Sequence, residues 1–302
     1  MSKFCIRGQD AAATAIRKQA DTIAAMAPAV RALEVEAIHA MRVASRRLRM
    51  AIQIYRPFLP KSPRKLLGKQ ARRITGLLGI RRELDVMAAM LREHREETRD
   101  LWLRFMDHAI EIVDARRDSQ MEFCVAAADL AESGEFQEQV ESLLAGIDGN
   151  GLCSRKLAKK ELSGAHEAAR KARKRWKKTA DPGDLHQVRI ELKHLRYVCE
   201  FHTDVYGEPI GEAIQSLKDL QAVLGEWNEC RLLEDMVLTI GNAADYTLAQ
   251  GAPLVAEAYG NRAAELAAQF GPMGKTILEG DGRKAFLKLA GTPAVKCCPK
   301  KG

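Results

Sequence analysis

Strands have little to be made from in this sequence. Aromatic residues make up 5% of the chain, and β-branched runs with period-two alternation are hard to find, which removes the usual material of a sheet. The seven cysteines, at positions 5, 124, 153, 199, 230, 297 and 298, are odd in number and lack CxxC spacing. That excludes a disulfide framework and a zinc-ribbon arrangement. No segment approaches the roughly 18 consecutive apolar residues of a membrane span, and no apolar leader opens the chain. A reducing, cytoplasmic location without membrane insertion is therefore expected. What the chain does have is Ala, Leu, Glu, Arg and Lys. With 302 residues, 46% of them hydrophobic, it can bury a core without staples. The expected fold class is all-α.

The formal charge is +8 and the isoelectric point near 9.1. Such a balance points to polyanions, such as nucleic acid, an anionic surface or polyphosphate, without choosing among them. The distribution is more selective: from Cys153 to Arg196 there are 14 Lys or Arg against 5 Asp or Glu, an excess larger than the charge of the whole molecule.

One pattern is written twice, as His39-Ala-Met-Arg-Val-Ala-Ser-Arg-Arg-Leu-Arg49 and His186-Gln-Val-Arg-Ile-Glu-Leu-Lys-His-Leu-Arg196. On a helix, His39, Arg42, Arg46 and Arg49 fall within an arc of roughly 80°, and His186, Arg189, Lys193 and Arg196 fall on the same arc of the second copy. Apolar Met41, Leu48, Ile52 and Tyr55, and Val188, Leu192, Leu195 and Cys199, lie opposite and face a core. A solvated face would mix acids with bases for i, i+4 support, yet the first copy has no Asp or Glu and the second only Glu191. The repeated stripe reads as a binding face.

Around these copies the chain predicts a first helix from about Asp10 to Met26, ended by Pro28. The first stripe helix follows, from about Ala32 to Tyr55, and then a long helix from near Ser62 through Gly76 and Gly79 to Arg95. Helices over about Thr98–Leu130 and Glu135–Ile147 complete the half, and Gly149-Asn150-Gly151 marks the turn to the second. There the plan recurs as a basic helix over Ser154–Lys178, a stripe helix to Tyr206 capped by Asp181 or Asp184, a long helix over Pro209–Thr239 and another over Leu254–Phe270. Residues 1–150 and 151–270 thus form two helical repeats. Residues 271–302, punctuated by Gly and Pro and ending in Cys297-Cys298-Pro-Lys-Lys-Gly, read as a flexible tail. On the first long helix Lys65, Lys69 and Arg72 share an arc of roughly 60°, with Arg73 alongside. Matching Gly79 with Gly225 pairs Arg72 with Lys218, but Lys65 with Gly211 and Lys69 with Gln215. The site is therefore expected to be lopsided, with Lys156, Lys160, Arg170, Lys171 and Lys174 either compensating or forming a solvated face.

The strings HAMRVASRRLR, LLGIRRELDV, LHQVRIELKHLRY and LKDLQAVLGEWNE, in this order and with Leu78-Gly79 and Leu224-Gly225 after the stripes, resemble the two halves of a CHAD domain, the conserved histidine α-helical domain. The resemblance extends from about residue 8 to about residue 270. It implies two helical bundles related by a pseudo-twofold axis around a basic central channel that binds inorganic polyphosphate. It also implies a standalone member, since the CYTH-type triphosphatase that often accompanies this domain has no room on the chain. The acid after Arg82 is Glu83, and the second copy holds Asn228-Glu229 at that place, so the role of this turn stays open.

Phosphate polymers present a line of anionic oxygens, and Arg and Lys at successive helical turns supply donors about 5 Å apart. The candidate contacts are His39, Arg42, Arg46, Arg49, Lys69, Arg72, Arg73, His186, Arg189, Lys193, Arg196 and Lys218. Nucleic acid shares the electrostatics but needs interleaved aromatics for stacking, and only Tyr197 lies close to a stripe. Catalysis at His39 and His186 lacks the carboxylates that would hold Mg²⁺, and flanking cations repel a metal. No enzyme activity, cofactor or metal is therefore expected. The histidines are either phosphate ligands that gain a proton beside the polyanion or donors to a neighbouring helix. Association with polyphosphate granules is one consequence such binding would have.

Overall fold

Alanine and leucine at 3.6-residue spacing, with Gly and Pro confined mostly to ends, yield an all-α molecule. The computed structural model describes residues 7–97, 101–149 and 153–292. Among these, helices α1 (Gly8–Arg31), α2 (Val35–Ile54), α3 (Lys61–Leu77), α4 (Gly79–Glu97), α5 (Leu101–Asp118), α6 (Met121–Glu132) and α7 (Gly134–Ala145) make up the first half. The second half contains α8 (Ser154–Thr179), α9 (Pro182–Phe201), α10 (Thr203–Tyr206), α11 (Pro209–Ala243), α12 (Tyr246–Ala249), α13 (Ala252–Leu278) and α14 (Gly280–Gly291). No strand occurs among the described residues beyond a single antiparallel bridge from Arg7 to Cys153, and no described helix is long and apolar enough to cross a membrane.

The stripe helix α2 buries Ile38, Met41, Leu48 and Ile52, largely against α1. Fully burying such side chains contributes roughly 1.5–3 kcal/mol each. Its counterpart α9 buries Leu185, Val188, Leu192 and Leu195 between α8 and α11. Asp181 caps α9, its carboxylate accepting from the amides of Gly183 at 2.8 Å and Asp184 at 3.1 Å. The preceding residue, Ala180, takes the left-handed conformation (φ 51°) that ends α8. The two stripe helices touch each other, and the Tyr55 hydroxyl at the end of α2 donates to the carbonyl of Phe201 at the end of α9, 2.9 Å away. A single apolar core runs through both halves.

Several boundaries differ from those the sequence predicts. Pro28 lies inside α1, not at its end: the helix continues one turn because Ala27 and Val30 are buried, and Leu33 (φ 63°) makes the stop. The long helix expected from Ser62 to Arg95 is divided at Leu78 into α3 and α4, with Leu78 still bonded back to Ile74 and Arg82 to Leu78. The span 98–130 is likewise divided at Ser119 and Gln120. Residues 271–291, read as the start of a tail, are helical. Pro272 sits within α13, which is held onto α8 by buried Phe270, Ile277 and Leu278 and by the buried Arg173, whose Nη2 donates to the Gly271 carbonyl at 2.6 Å. Glycine at 274 leaves room for this contact, because a Cβ there would stand 2.8 Å from Arg173 Nε and 2.9 Å from the Phe270 ring, and one of them would have to shift. On α14, Phe286 stacks on the buried His166 ring with centroids 4.7 Å apart. The Asn150-Gly151 part of the predicted turn and the Cys297-Cys298 pair lie outside the described residues.

Candidate functional site

With their apolar sides spent on the core, α2 and α9 turn their cationic sides toward a common space that α3 completes. It is a cleft of about 850 Å³. Arg46 and Arg49 enter it from α2, Arg56 from the turn after α2, and Arg64, Lys65, Lys69 and Arg72 from α3. Arg189, Lys193 and His194 enter from α9. Glu191 is the one acid of the lining and accepts a bond from Gln187; Tyr197 is the one aromatic residue. Ser45 fixes α2 to α3 through a 2.8 Å hydroxyl contact with Thr75, and Gln221 on α11 fixes α9 by donating to the Leu192 carbonyl at 2.9 Å.

The cleft is distinguished by unpaired charge. Elsewhere most arginines meet acids: Arg31 with Asp129 at 2.5 Å, Arg81 with Asp85 at 3.2 Å, Arg170 with Glu167 at 2.7 Å, Arg175 with Asp184 at 2.8 Å, and Arg262 with Glu226 at 2.6 Å. Among the described residues no carboxylate lies within ion-pair distance of Arg46, Arg49, Lys65, Lys69, Arg72, Arg189 or Lys193, although acids abound on the rest of the surface. Burial first, and then neighbouring cations, hold Arg42, Arg49 and Arg189 below the ordinary guanidinium value. Burial followed by Arg189, Arg46, Arg42 and Arg196 pushes the Lys193 ammonium down to about 7. The Nε atoms of Arg42 and Arg189 and Nε2 of His194 are buried without a protein partner. Crowded, partly desolvated cations with idle donors are costly to keep, and an anion would relieve that cost.

Of the twelve residues expected at the site, Arg46, Arg49, Lys69, Arg72, Arg189 and Lys193 line the cleft. Arg42 is outside the lining, half-buried, with Glu83 3.8 Å away. His39 is exposed; burial of part of its ring lowers its pKa, and Arg82, Arg42 and Arg46 lower it further against the opposing Glu36. His186 is exposed and bonds through Nδ1 to Asn228 Oδ1 at 2.8 Å, so it is oriented by the middle of α11, where the sequence pattern suggests a turn after Leu224-Gly225 but the helix is continuous. Arg196 is occupied: Nε donates to Gln221 Oε1 at 2.8 Å, Nη1 pairs with Glu200, and the guanidinium lies 4.9 Å from the Tyr197 ring centroid. Arg73 and Lys218 are exposed outside the lining. Lys156, Lys160, Lys171 and Lys174 of α8 are also exposed outside it, while Arg170 is paired with Glu167, so α8 does not supply the second half's missing bases.

Three contributors escape the stripe pattern: Arg56, in the turn after α2, Arg64 and His194. Arg64 is on the arc next to that of Lys65, Lys69 and Arg72, and Gly68 leaves the space between them open, since a Cβ there would meet nothing within 4 Å. His194, one residue beyond Lys193, lies about 100° round the helix from it and still lines the cleft. Nothing in the periodicity signals it.

The family model of the CHAD domain matches residues 14–238, while no curated protein matches the chain. Two solved structures share the architecture. The crystal structure of the CHAD domain from the plant Ricinus communis superposes with a TM-score of 0.62 at 21% identity, over 97% of this chain and 96% of the other. PptA from Streptomyces chartreusis gives 0.65 at 15% identity, over 88% and 99%. At these identities the likeness is one of fold.

Proposed function

Because this chain belongs to the CHAD-domain family, with the family match covering both stripe helices, we propose that its basic cleft binds inorganic polyphosphate as a binding module without turnover. The observation that carries this reading is the gathering of unpaired cations from α2, α3 and α9 in one cleft, in a protein whose other arginines mostly meet carboxylates. A linear phosphate chain asks for donors in series and no base-edge readers. The cleft supplies guanidinium and ammonium groups along α2 and α3 and offers a single aromatic ring, Tyr197, where single-strand binders need several. The pseudo-twofold arrangement is part of the same proposal, with His39 and Arg42 matched to His186 and Arg189. Retention of the protein on polyphosphate granules in the cytoplasm would follow from such binding.

A competition assay at fixed ionic strength tests the reading. Long-chain polyphosphate should displace a labelled polyphosphate probe at far lower phosphate concentration than single- or double-stranded DNA or RNA. Displacement by nucleic acid at equal phosphate concentration would make the cleft a general polyanion or nucleic-acid site. Incubation with polyphosphate and Mg²⁺ should release no orthophosphate above a blank, and release that is lost in His39→Ala would replace the binding module with an enzyme.

A further inference from the structure

Four of the chain's five tyrosines are buried, and a buried phenol ordinarily finds a hydrogen-bond partner. Three of them do. Tyr55 donates to the Phe201 carbonyl at 2.9 Å and Tyr206 to the Ala290 carbonyl at 3.1 Å, while the Tyr259 hydroxyl lies 2.8 Å from His94 Nδ1. All three also belong to the apolar core. Tyr197 is the exception on both counts. It is only 5% exposed, yet it stands outside that core, and no described residue hydrogen-bonds its hydroxyl. The hydroxyl oxygen is not sealed off either, and the residue lines the cleft. Its ring is already engaged: the guanidiniums of Arg196 and Arg47 lie 4.9 Å and 5.8 Å from the centroid, and Glu200 pairs with both. What Tyr197 offers a ligand is therefore its O–H.

We propose that the Tyr197 hydroxyl is a further phosphate contact of this cleft, a neutral donor to a non-bridging oxygen of the bound chain. This inference rests on the polyphosphate reading. On α9, Arg189, Lys193 and Tyr197 follow one another at four-residue intervals and so fall on one side of the helix. Tyr197 stands where this wall lacks its last cation, because Arg196 is spent on Glu200 and Gln221. Another cation at that place would add to the crowding that already pushes the Lys193 ammonium down, at a cost to the empty cleft. A phenol adds no charge, and its bond to an anionic oxygen is of the strong, charge-assisted kind. Burial of the ring holds the hydroxyl in place before the ligand arrives, so little side-chain freedom is lost on binding. A ring so buried and so engaged gives a base no surface to stack on. The same residue therefore serves a phosphate chain and not a single-stranded nucleic acid.

The test is titration calorimetry on the full chain with long-chain polyphosphate over a series of salt concentrations, comparing wild type, Y197F and R72A. Y197F keeps the ring and its two guanidiniums and removes only the O–H. Its affinity should fall about tenfold at every salt concentration, the loss expected of one hydrogen bond to a charged group. The slope of log affinity against log salt should stay that of the wild type, because no charge has been removed. R72A, which does remove one, should reduce that slope by about one. The melting temperature of Y197F without ligand should match the wild type, since the hydroxyl has no protein partner to lose; a hydroxyl with a structural role would lower it. A wild type that does not bind long chains overturns the polyphosphate reading and this proposal with it. A wild type that binds them overturns this proposal alone if Y197F binds as tightly or more tightly, or if its loss comes with a reduced slope or a lowered melting temperature.

Discussion

Helices α2 and α9 carry cations at the same spacing and use them differently. The last of the four illustrates why. Arg49 enters the cleft with no acid beside it, whereas Arg196, its match on α9, is bound to Glu200 and Gln221. Four residues on from Arg49 is Gln53, and four residues on from Arg196 is Glu200; the second copy supplies its own i, i+4 partner. Glu200 also takes Arg47 of α2, at 2.8 Å, so on this side the stripe has become a joint between halves. The long helices diverge similarly. The break at Leu78 lets α3 line the cleft independently of α4, whereas α11 runs unbroken from Pro209 to Ala243 against α13 and leaves Lys218 outside. A cationic period locates a face, but the acids around it decide whether that face binds or braces.

The sharpest way to break this contrast is charge reversal. Arg46→Glu with Arg189→Glu should lower long-chain polyphosphate affinity on the order of 100-fold or more, as expected when close, partly buried charge contacts worth about 2–5 kcal/mol are lost. Reversing Lys177 and Lys178, which are exposed at the end of α8, should weaken it only a few-fold through the general field, about 1 kcal/mol or less. Equal losses would mean that diffuse attraction replaces a site. Chain length probes the same point: a cleft whose α2 rail, about ten residues at 1.5 Å rise, spans roughly 15 Å should bind pyrophosphate weakly and gain affinity steeply until the rail is filled. The logarithm of affinity should also fall linearly with that of salt concentration; a compact pocket would show neither.

The asymmetry between long helices gives a smaller effect. Lys69→Ala with Arg72→Ala should cost roughly tenfold in affinity, a charge-assisted contact being worth about 1.5–3 kcal/mol, and Lys218→Ala less than about twofold. Binding measurements in which Lys218→Ala matched the double variant would restore a symmetric channel. Arg196→Ala should lower Tm by about 2–4 °C for each kcal/mol of lost pairing and change affinity little, whereas Arg49→Ala should do the opposite.

The smallest effect is in pH. Lys193 in the empty cleft is pushed down to about 7 from its ordinary 10.5, and a bound polyanion would raise it again. Binding therefore takes up a proton above pH 7, and affinity should fall between pH 7 and 9, by up to about tenfold per unit for one fully coupled proton. Lys193→Arg should flatten that slope. For the empty protein the sign is opposite: between about 7 and 10.5 the unfolded chain holds the proton that the folded chain has lost, so Lys193 makes stability rise with pH across that window. A Tm that fell through the same range in the wild type but not in Lys193→Met would contradict this.

Much of this was legible in the sequence. Both stripe helices, their buried sides and the Asp181 cap follow from period and capping chemistry, and the lopsided supply of cations from α3 and α11 follows from matching the two Leu-Gly pairs. What was not legible depended on tertiary neighbours. Pro28 and Pro272 stay inside helices because buried residues on either side outweigh one lost hydrogen bond. Arg196 is paired and not idle because Gln221 and Glu200 converge on it, and His194 reaches the cleft from beside the stripe through the packing of helices distant in sequence. Periodicity assigns a residue to a side of its own helix but is silent about which other helix faces it.

The bond from Tyr55 to the Phe201 carbonyl joins groups 146 residues apart, and the cleft it helps to close takes its two sides from those same distant stretches. The site therefore has no existence in the first half alone. During synthesis the first half emerges with its cations assembled and their opposite wall still unmade, and closure of so long a loop comes late because its entropy cost precedes any contact that rewards it. A polyanion bound at that stage would favour the closed state over every open precursor and would act as a clamp on the final docking of the halves. In refolding from denaturant the slowest phase should then be docking, and polyphosphate should retard unfolding more than it accelerates the formation of either half.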